Sequence, residues 1–193
     1  MEIKDMIWSR RSVRHYKADK LSHDDLQVIV DAALMAPSSV NYQPWYFVVL
    51  QDKAAMEDAV SIMQIAAERL KPDLEARFAS HPEVIAATTK FISSLGAAPA
   101  CVLAFQYKTD YPPQQTMPIM QSIAAAIENL ILMAWSKGIG SCWMTAATVC
   151  QVDQELHDRF APDKGPLVAM ITLGYPDETP KAPKRKEGRA KIL

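Results

Sequence analysis

Glycine is scarce in this chain: six residues out of 193, none of them in a G-x-G-x-x-G or Walker pattern. Gly138-x-Gly140 is only a two-glycine fragment, better explained as a helix stop. A dedicated dinucleotide fold is therefore not supported, and any nucleotide phosphate must be held by side chains. Cysteine is equally sparse. Cys101, Cys142 and Cys150 are odd in number and form no C-x-x-C pair, so they read as small buried hydrophobes in a reducing compartment. His15, His23, His81 and His157 are scattered without ligand spacing, so no metal is expected. There is no G-x-S-x-G, and Ser38-Ser39 has no histidine partner, which argues against a hydrolase. Long hydrophobic runs are missing too: the most apolar stretch, Ile123 to Trp135, is interrupted by Glu128 and Asn129, so no membrane span is expected. The N-terminus lacks a basic-then-apolar leader. These absences together lead to the expectation of a cytoplasmic protein.

What is present suits one compact domain over residues 1–193, with 49% apolar residues for its core. Thirteen prolines and ten methionines suggest stiff connections and adaptable packing. The formal charge is only −1, but it is unevenly spread. Residues 1–17 carry five Lys/Arg against two acids, and residues 181–193 carry six against Glu187 alone. The body between them holds ten basic and nineteen acidic residues. Two basic ends on an acidic body read either as nucleic-acid-binding arms or as two halves of one phosphate pocket.

Periodicity outlines the elements. A short helix is expected before the arginine patch. A second helix starts at Ser22 as N-cap, runs through Leu26, Ile29, Val30, Ala33 and Leu34, and ends at Pro37. Residues 45–50 form a buried strand. Asp52 caps a third helix, residues 71–82 form a polar connector, and Pro82 opens a fourth helix closed by Gly96. A strand follows at 99–107, then a long helix from about Thr116 to Lys137 that is apolar nearly all round and so is expected at a core or an interface. Short strands at 140–145 and 167–173 flank a helix near 152–160. Without a regular βαβ repeat, an α+β layered fold is expected over a doubly wound one.

Two patches carry the chemistry. Arg10-Arg11-Ser12-Val13-Arg14 offers three planar guanidinium forks and a hydroxyl in five residues, a natural anion clamp. Pro37-Ser38-Ser39-Val40-Asn41-Tyr42-Gln43-Pro44-Trp45 packs hydroxyls, amides and an indole into a proline-bounded loop. Such a loop reads as a holder for something polar and planar, or as a polar connector rich in turn formers.

These patches, with Gly138-Ile139-Gly140-Ser141-Cys142-Trp143, Gly174-Tyr175-Pro176 and the basic tail in that order, resemble the FMN-dependent nitroreductase family from about Arg10 to Lys186. The resemblance implies a mixed sheet flanked by helices in an intertwined homodimer. It implies FMN as cofactor, NAD(P)H as transient co-substrate, and a ping-pong transfer of hydride to a nitroaromatic, quinone or similar small-molecule acceptor. It further implies that Arg10, Arg11 and Ser12 reach the phosphate and ribityl side and that Arg14 lies at the pyrimidine edge. Pro37, Ser38, Ser39 and Asn41 would come from the partner subunit. Trp143, Thr145 and Ala146 would approach the flavin by their backbone, although many members carry Glu-Gly where Thr145-Ala146 stands. Lys184 and Lys186 fall where the family places its last phosphate cations, with Arg185 one residue out of step. The family's mid-chain Asn and Lys have no clear counterpart; Arg69 and Lys71 are the candidates. No nucleic-acid or membrane partner is expected. The alternatives are a flavin-dependent dehydrogenase or desaturase of a carbon substrate, or a non-catalytic flavin- or nucleic-acid-binding protein.

Overall fold

A computed structural model describes residues 2–193. Its centre is a four-stranded antiparallel sheet in the order β1 (Trp45–Leu50), β2 (Ala100–Gln106), β4 (Leu167–Gly174), β3 (Gly140–Met144). The mixed sheet expected from the resemblance is thus antiparallel in its four named strands, and parallel pairing enters as a bridge between Ser12 and Ser141 at the β3 edge. The central strands are covered on both faces, which is why Cys101-Val102-Leu103-Ala104-Phe105 is apolar without alternation. Cys101, Leu103 and Phe105 point into one core, and Ala100, Val102 and Ala104 into the other. A register shift between Ala104 and Phe105 lets β4 present Leu167 and Met170 to the same core despite their odd spacing.

One face is covered by α2 (His23–Leu34) and α5 (Thr116–Ser136). Ser22 caps α2 by accepting from the Asp25 amide at 3.0 Å, and its hydroxyl donates to the Asp25 carboxylate at 2.7 Å. Helix α5 ends where Gly138, at φ 74°, allows its own amide and that of Ile139 to close onto the Trp135 and Ala134 carbonyls. Residues 113–136 are long and apolar enough to cross a bilayer by length and composition, so Glu128 and Asn129 do not disqualify the stretch as expected. Part of its apolar surface is instead taken up by the sheet and α2, with Ile119, Ile123, Ile127 and Leu130 almost fully buried, while Met117 and Met120 stay exposed.

The opposite face carries α3 (Lys53–Arg77), α4 (Pro82–Ser94), α6 (Ala146–Val149) and α7 (Asp153–Phe160). Asp52 caps α3 through the Ala54 and Ala55 amides at 2.9 and 3.3 Å. The connector expected from residue 71 begins only after Arg77, because α3 runs on through Pro72. Leu74 is buried there, and the pairs Lys71–Glu75 (3.9 Å) and Asp73–Arg77 (3.1 Å) bracket the proline. Exposed pairs of this kind contribute only about 0.3–0.5 kcal/mol each, so burial of Leu74 holds the last turns. The carbonyl that Pro72 leaves without a donor belongs to exposed Glu68, where water can serve it.

A short α1 (Ile3–Ser9) buries none of its residues. The chain then runs extended beside β3: the Val13 amide donates to the Ser141 carbonyl at 2.9 Å, and Tyr16 bridges Pro176. Tyr16 is buried, its hydroxyl donates to the Val13 carbonyl and lies 2.8 Å from Thr172 Oγ1, and burial pushes its pKa far up. After α4, Leu95 and Gly96 both take positive φ (51° and 64°), and the chain passes so close to this strand that a Cβ on Gly96 would lie 2.6 Å from the Arg14 carbonyl and 2.9 Å from the Phe91 ring. Gly96→Ala is therefore expected to lower stability by about 1–3 kcal/mol, read from the midpoint of urea unfolding. A midpoint unchanged from wild type would mean that the strand carrying Arg14 yields freely.

Candidate functional site

Both chain ends converge on one edge of the sheet. The antiparallel bridge from Tyr16 to Pro176 is flanked by the Lys17 amide on the Tyr175 carbonyl and the Asp177 amide on the His15 carbonyl, each at 2.9 Å. The tail beyond Asp177 then runs back along the arginine patch. A cavity of about 330 Å³ is enclosed by Arg10, Arg11, Ser12 and Arg14 from one side and by Pro180, Lys181, Pro183 and Arg185 from the other. Among the described residues five cations line it and no carboxylate does. None of the ion pairs among the described residues engages these five. Like charges gathered without counter-charge gain from an anion, above all from one with several acceptor oxygens.

The positions of individual groups refine the expectation. Arg11 is partly committed: its Nη1 donates to the carbonyls of Trp8 at 2.8 Å and Arg10 at 2.6 Å, which fixes the guanidinium against the end of α1. Lys184 and Lys186 are exposed and do not line the cavity; Lys181 and Arg185 do.

Arg14 also lines a second cavity of about 430 Å³, so the two adjoin. The walls of this second cavity include Arg14, His15 and Tyr16 on the strand, Thr88, Lys90, Phe91 and Ser94 on α4, and Gly96 and Ala97 beyond it, with Asp177 the only acid among the described residues. The Arg14 guanidinium carbon lies 5.8 Å from the Phe91 ring centroid, within cation–π range. Helix α4, and not α3, thus lines this cavity. Arg69 is turned elsewhere, its Nη1 donating to the carbonyls of Cys150 at 3.0 Å and Gln151 at 2.6 Å, and Lys71 pairs with Glu75.

Beside the same strand, β3 carries Trp143, the one exposed residue of an otherwise buried strand. Thr145 and Ala146 follow at the start of α6. The thiols nearby offer no nucleophile: burial raises the Cys142 pKa and pushes that of Cys101 up to about 12.

The loop Pro37 to Asn41 stands apart. Ser39–Asn41 form a 3₁₀ turn, and Val40, Asn41 and Gln43 all hold positive φ, at 42°, 56° and 46°. Such backbone persists only where its surroundings over-determine it. Here the Ser39 amide donates to Ser122 Oγ at 3.1 Å, the Gln43 amide to Ser38 Oγ at 3.0 Å, and Gln43 Nε2 to Asn41 Oδ1 at 3.1 Å. Ser122 lies in the first half of α5, whereas Trp135, whose indole donates to Ser9 Oγ at 2.8 Å just before the arginine patch, lies at its end. Thirteen residues of helix separate these anchors by roughly 20 Å. Within one chain the loop and the arginines do not meet.

The sequence matches the profile of the nitroreductase family over residues 7–175. The chain belongs to the nitroreductase family. Among solved structures, an FMN-bound nitroreductase from Bacteroides fragilis superposes with a TM-score of 0.77 at 27% identity, covering 100% of this chain and 99% of the other. A BluB-like flavoprotein from Clostridium difficile gives 0.75 at 30% identity over 100% and 99% of the two chains. A curated relative from Thermus thermophilus, an NADH dehydrogenase, is 29% identical over 92% of this chain and 88% of its own length.

Proposed function

We propose that the chain is an FMN-dependent oxidoreductase that passes hydride from NAD(P)H to a nitroaromatic, quinone or similar small acceptor by a ping-pong mechanism. The observation that carries this reading is the cluster of five cations around one cavity, none of them in an ion pair among the described residues, adjoining a second cavity through Arg14. The donor set fits FMN. Arg10, Arg11, Ser12, Lys181 and Arg185 would hold its single phosphate, each charge-assisted contact contributing about 1.5–3 kcal/mol. Arg14 sits where the phosphate cavity opens into the larger one. There it would meet the pyrimidine edge and favour negative charge on it. When bound, FMN supplies a hydride relay that no amino-acid side chain can provide.

The remaining groups position and enclose. Trp143, Thr145 and Ala146 would offer backbone and ring edge beside the cofactor. Pro37, Ser38, Ser39 and Asn41 are too far from the arginines of their own chain, so they would complete the site of a second copy, giving two equivalent sites across a two-fold axis. Residues 1–193 would then act as one FMN-binding unit whose site is finished only in the dimer.

With no separate dinucleotide fold, nicotinamide and acceptor would occupy the same cleft in turn. Double-reciprocal plots at several NADH or NADPH concentrations should accordingly be parallel. Intersecting lines would mean that both substrates bind together and would rule out the shared cleft.

A further inference from the structure

Resting on the reading of the cation cavity as a phosphate site, we infer that Glu178 is a positioning residue that locks the two basic chain ends into one clamp. The main-chain pairing between the N-terminal strand and the tail stops at Asp177, whose amide donates to the His15 carbonyl at 2.9 Å. One residue on, the side chain takes over. Glu178 Oε1 accepts from the amide of Arg14 and from that of His15, the latter at 3.1 Å. A carboxylate holding two amides is a charge-assisted anchor, stronger than the neutral ladder bonds it extends.

This placement has three consequences. Glu178 fixes the backbone of Arg14, the residue shared by both cavities. It also fixes the point from which the tail leaves the sheet, three residues before Lys181 and seven before Arg185. Beyond that point the tail has no regular secondary structure, so its register on the cavity is set at its root. Finally, a negative charge enters a region crowded by Arg10 and Arg14 without lining the cation cavity itself. It offsets their mutual repulsion while leaving the phosphate's place free.

Two effects of opposite sign compete at this position. As a bare charge near a phosphate, Glu178 would weaken FMN binding, and its removal would tighten it. As the anchor of the clamp, it would strengthen binding, and its removal would scatter the tail cations. Both acceptor contacts go to backbone amides of the arginine strand, so anchoring wins.

The test uses the full-length protein stripped of flavin, with FMN and riboflavin affinities measured by fluorescence quenching for wild type, Glu178→Ala and Glu178→Gln. Glu178→Ala should weaken FMN about tenfold, equivalent to about 1.4 kcal/mol. Riboflavin affinity should fall by clearly less, because it lacks the phosphate the clamp receives and feels the loss only through Arg14. Glu178→Gln keeps an acceptor oxygen and should fall between the two, and all three proteins should unfold at similar temperatures. Tighter FMN binding in either variant, no change, or a parallel loss for FMN and riboflavin would each overturn the positioning role. If wild type itself binds riboflavin as tightly as FMN, the phosphate reading fails first and takes this inference with it.

Discussion

Arg10→Ala combined with Arg185→Ala should reduce FMN affinity by about a hundred- to ten-thousandfold, from two charge-assisted contacts of about 1.5–3 kcal/mol each. The two residues approach the same cavity from opposite ends of the chain, one from the N-terminal strand and one from the tail. Neither has an ion-pair partner among the described residues to be orphaned. The loss should therefore appear in phosphate binding and leave stability nearly untouched. Riboflavin supplies the control, since it should bind wild type and variant alike. Lys184→Ala with Lys186→Ala should cost no more than about threefold, because exposed charges outside the cavity are screened at physiological salt. Equilibrium dialysis at two salt concentrations measures all of this. A large effect from the lysine pair with none from Arg10 and Arg185 would show that the tail binds in a different register. Loss of DNA binding with FMN affinity intact would make the basic ends an interaction arm.

The register of the tail marks where the sequence stops being legible. Lys181, Lys184, Arg185 and Lys186 are chemically near-equivalent, and an extended segment punctuated by Pro180 and Pro183 has no hydrogen-bonded period to say which side chains turn inward. The chain's regular parts were far easier to read. Ser22 and Asp52 are caps because their side chains outcompete water for free helix amides, and that competition is local. Strand β2 is apolar on all sides because it lies between layers, so continuous hydrophobicity already announced it, whereas helix α5 buries one side against the sheet and α2 and leaves Met117 and Met120 exposed. The polarity of residues 71–82 announces a connector where α3 in fact continues to Arg77, because burial of Leu74 is a tertiary effect that local polarity does not show. Thr88, Phe91 and Ser94 were missed for a related reason. Their spacing says that they share a helix face, but only the fold brings that face opposite Arg14.

A mixed dimer should recover one tight FMN site from two defective chains. One chain would carry Arg10→Ala and Arg185→Ala. The other would carry Ser39→Ala and Asn41→Gly, the glycine chosen because position 41 has φ 56°. Each homodimer places a defect in both of its sites. If the loop is donated across the interface, the mixed dimer has one site with every defect and one with none, so about half a molecule of FMN per chain should bind with wild-type affinity. If the loop served its own chain, every site in the mixed dimer would keep a defect and no tight binding would return. The roughly 20 Å along α5 between the loop's anchor at Ser122 and the arginine patch's anchor at Trp135 favours donation. So does the apolar surface that one chain leaves in solvent: Ile3, Ile7 and Trp8 on α1, Leu34 and Met35 at the end of α2, and Val40 on the loop itself are all exposed. Contacts over this surface would bring each chain's loop to the other's arginines. Titration of co-purified, differently tagged chains decides the matter. Tight binding at one site per mixed dimer establishes exchange, and its absence, with both chains folded and paired, refutes it.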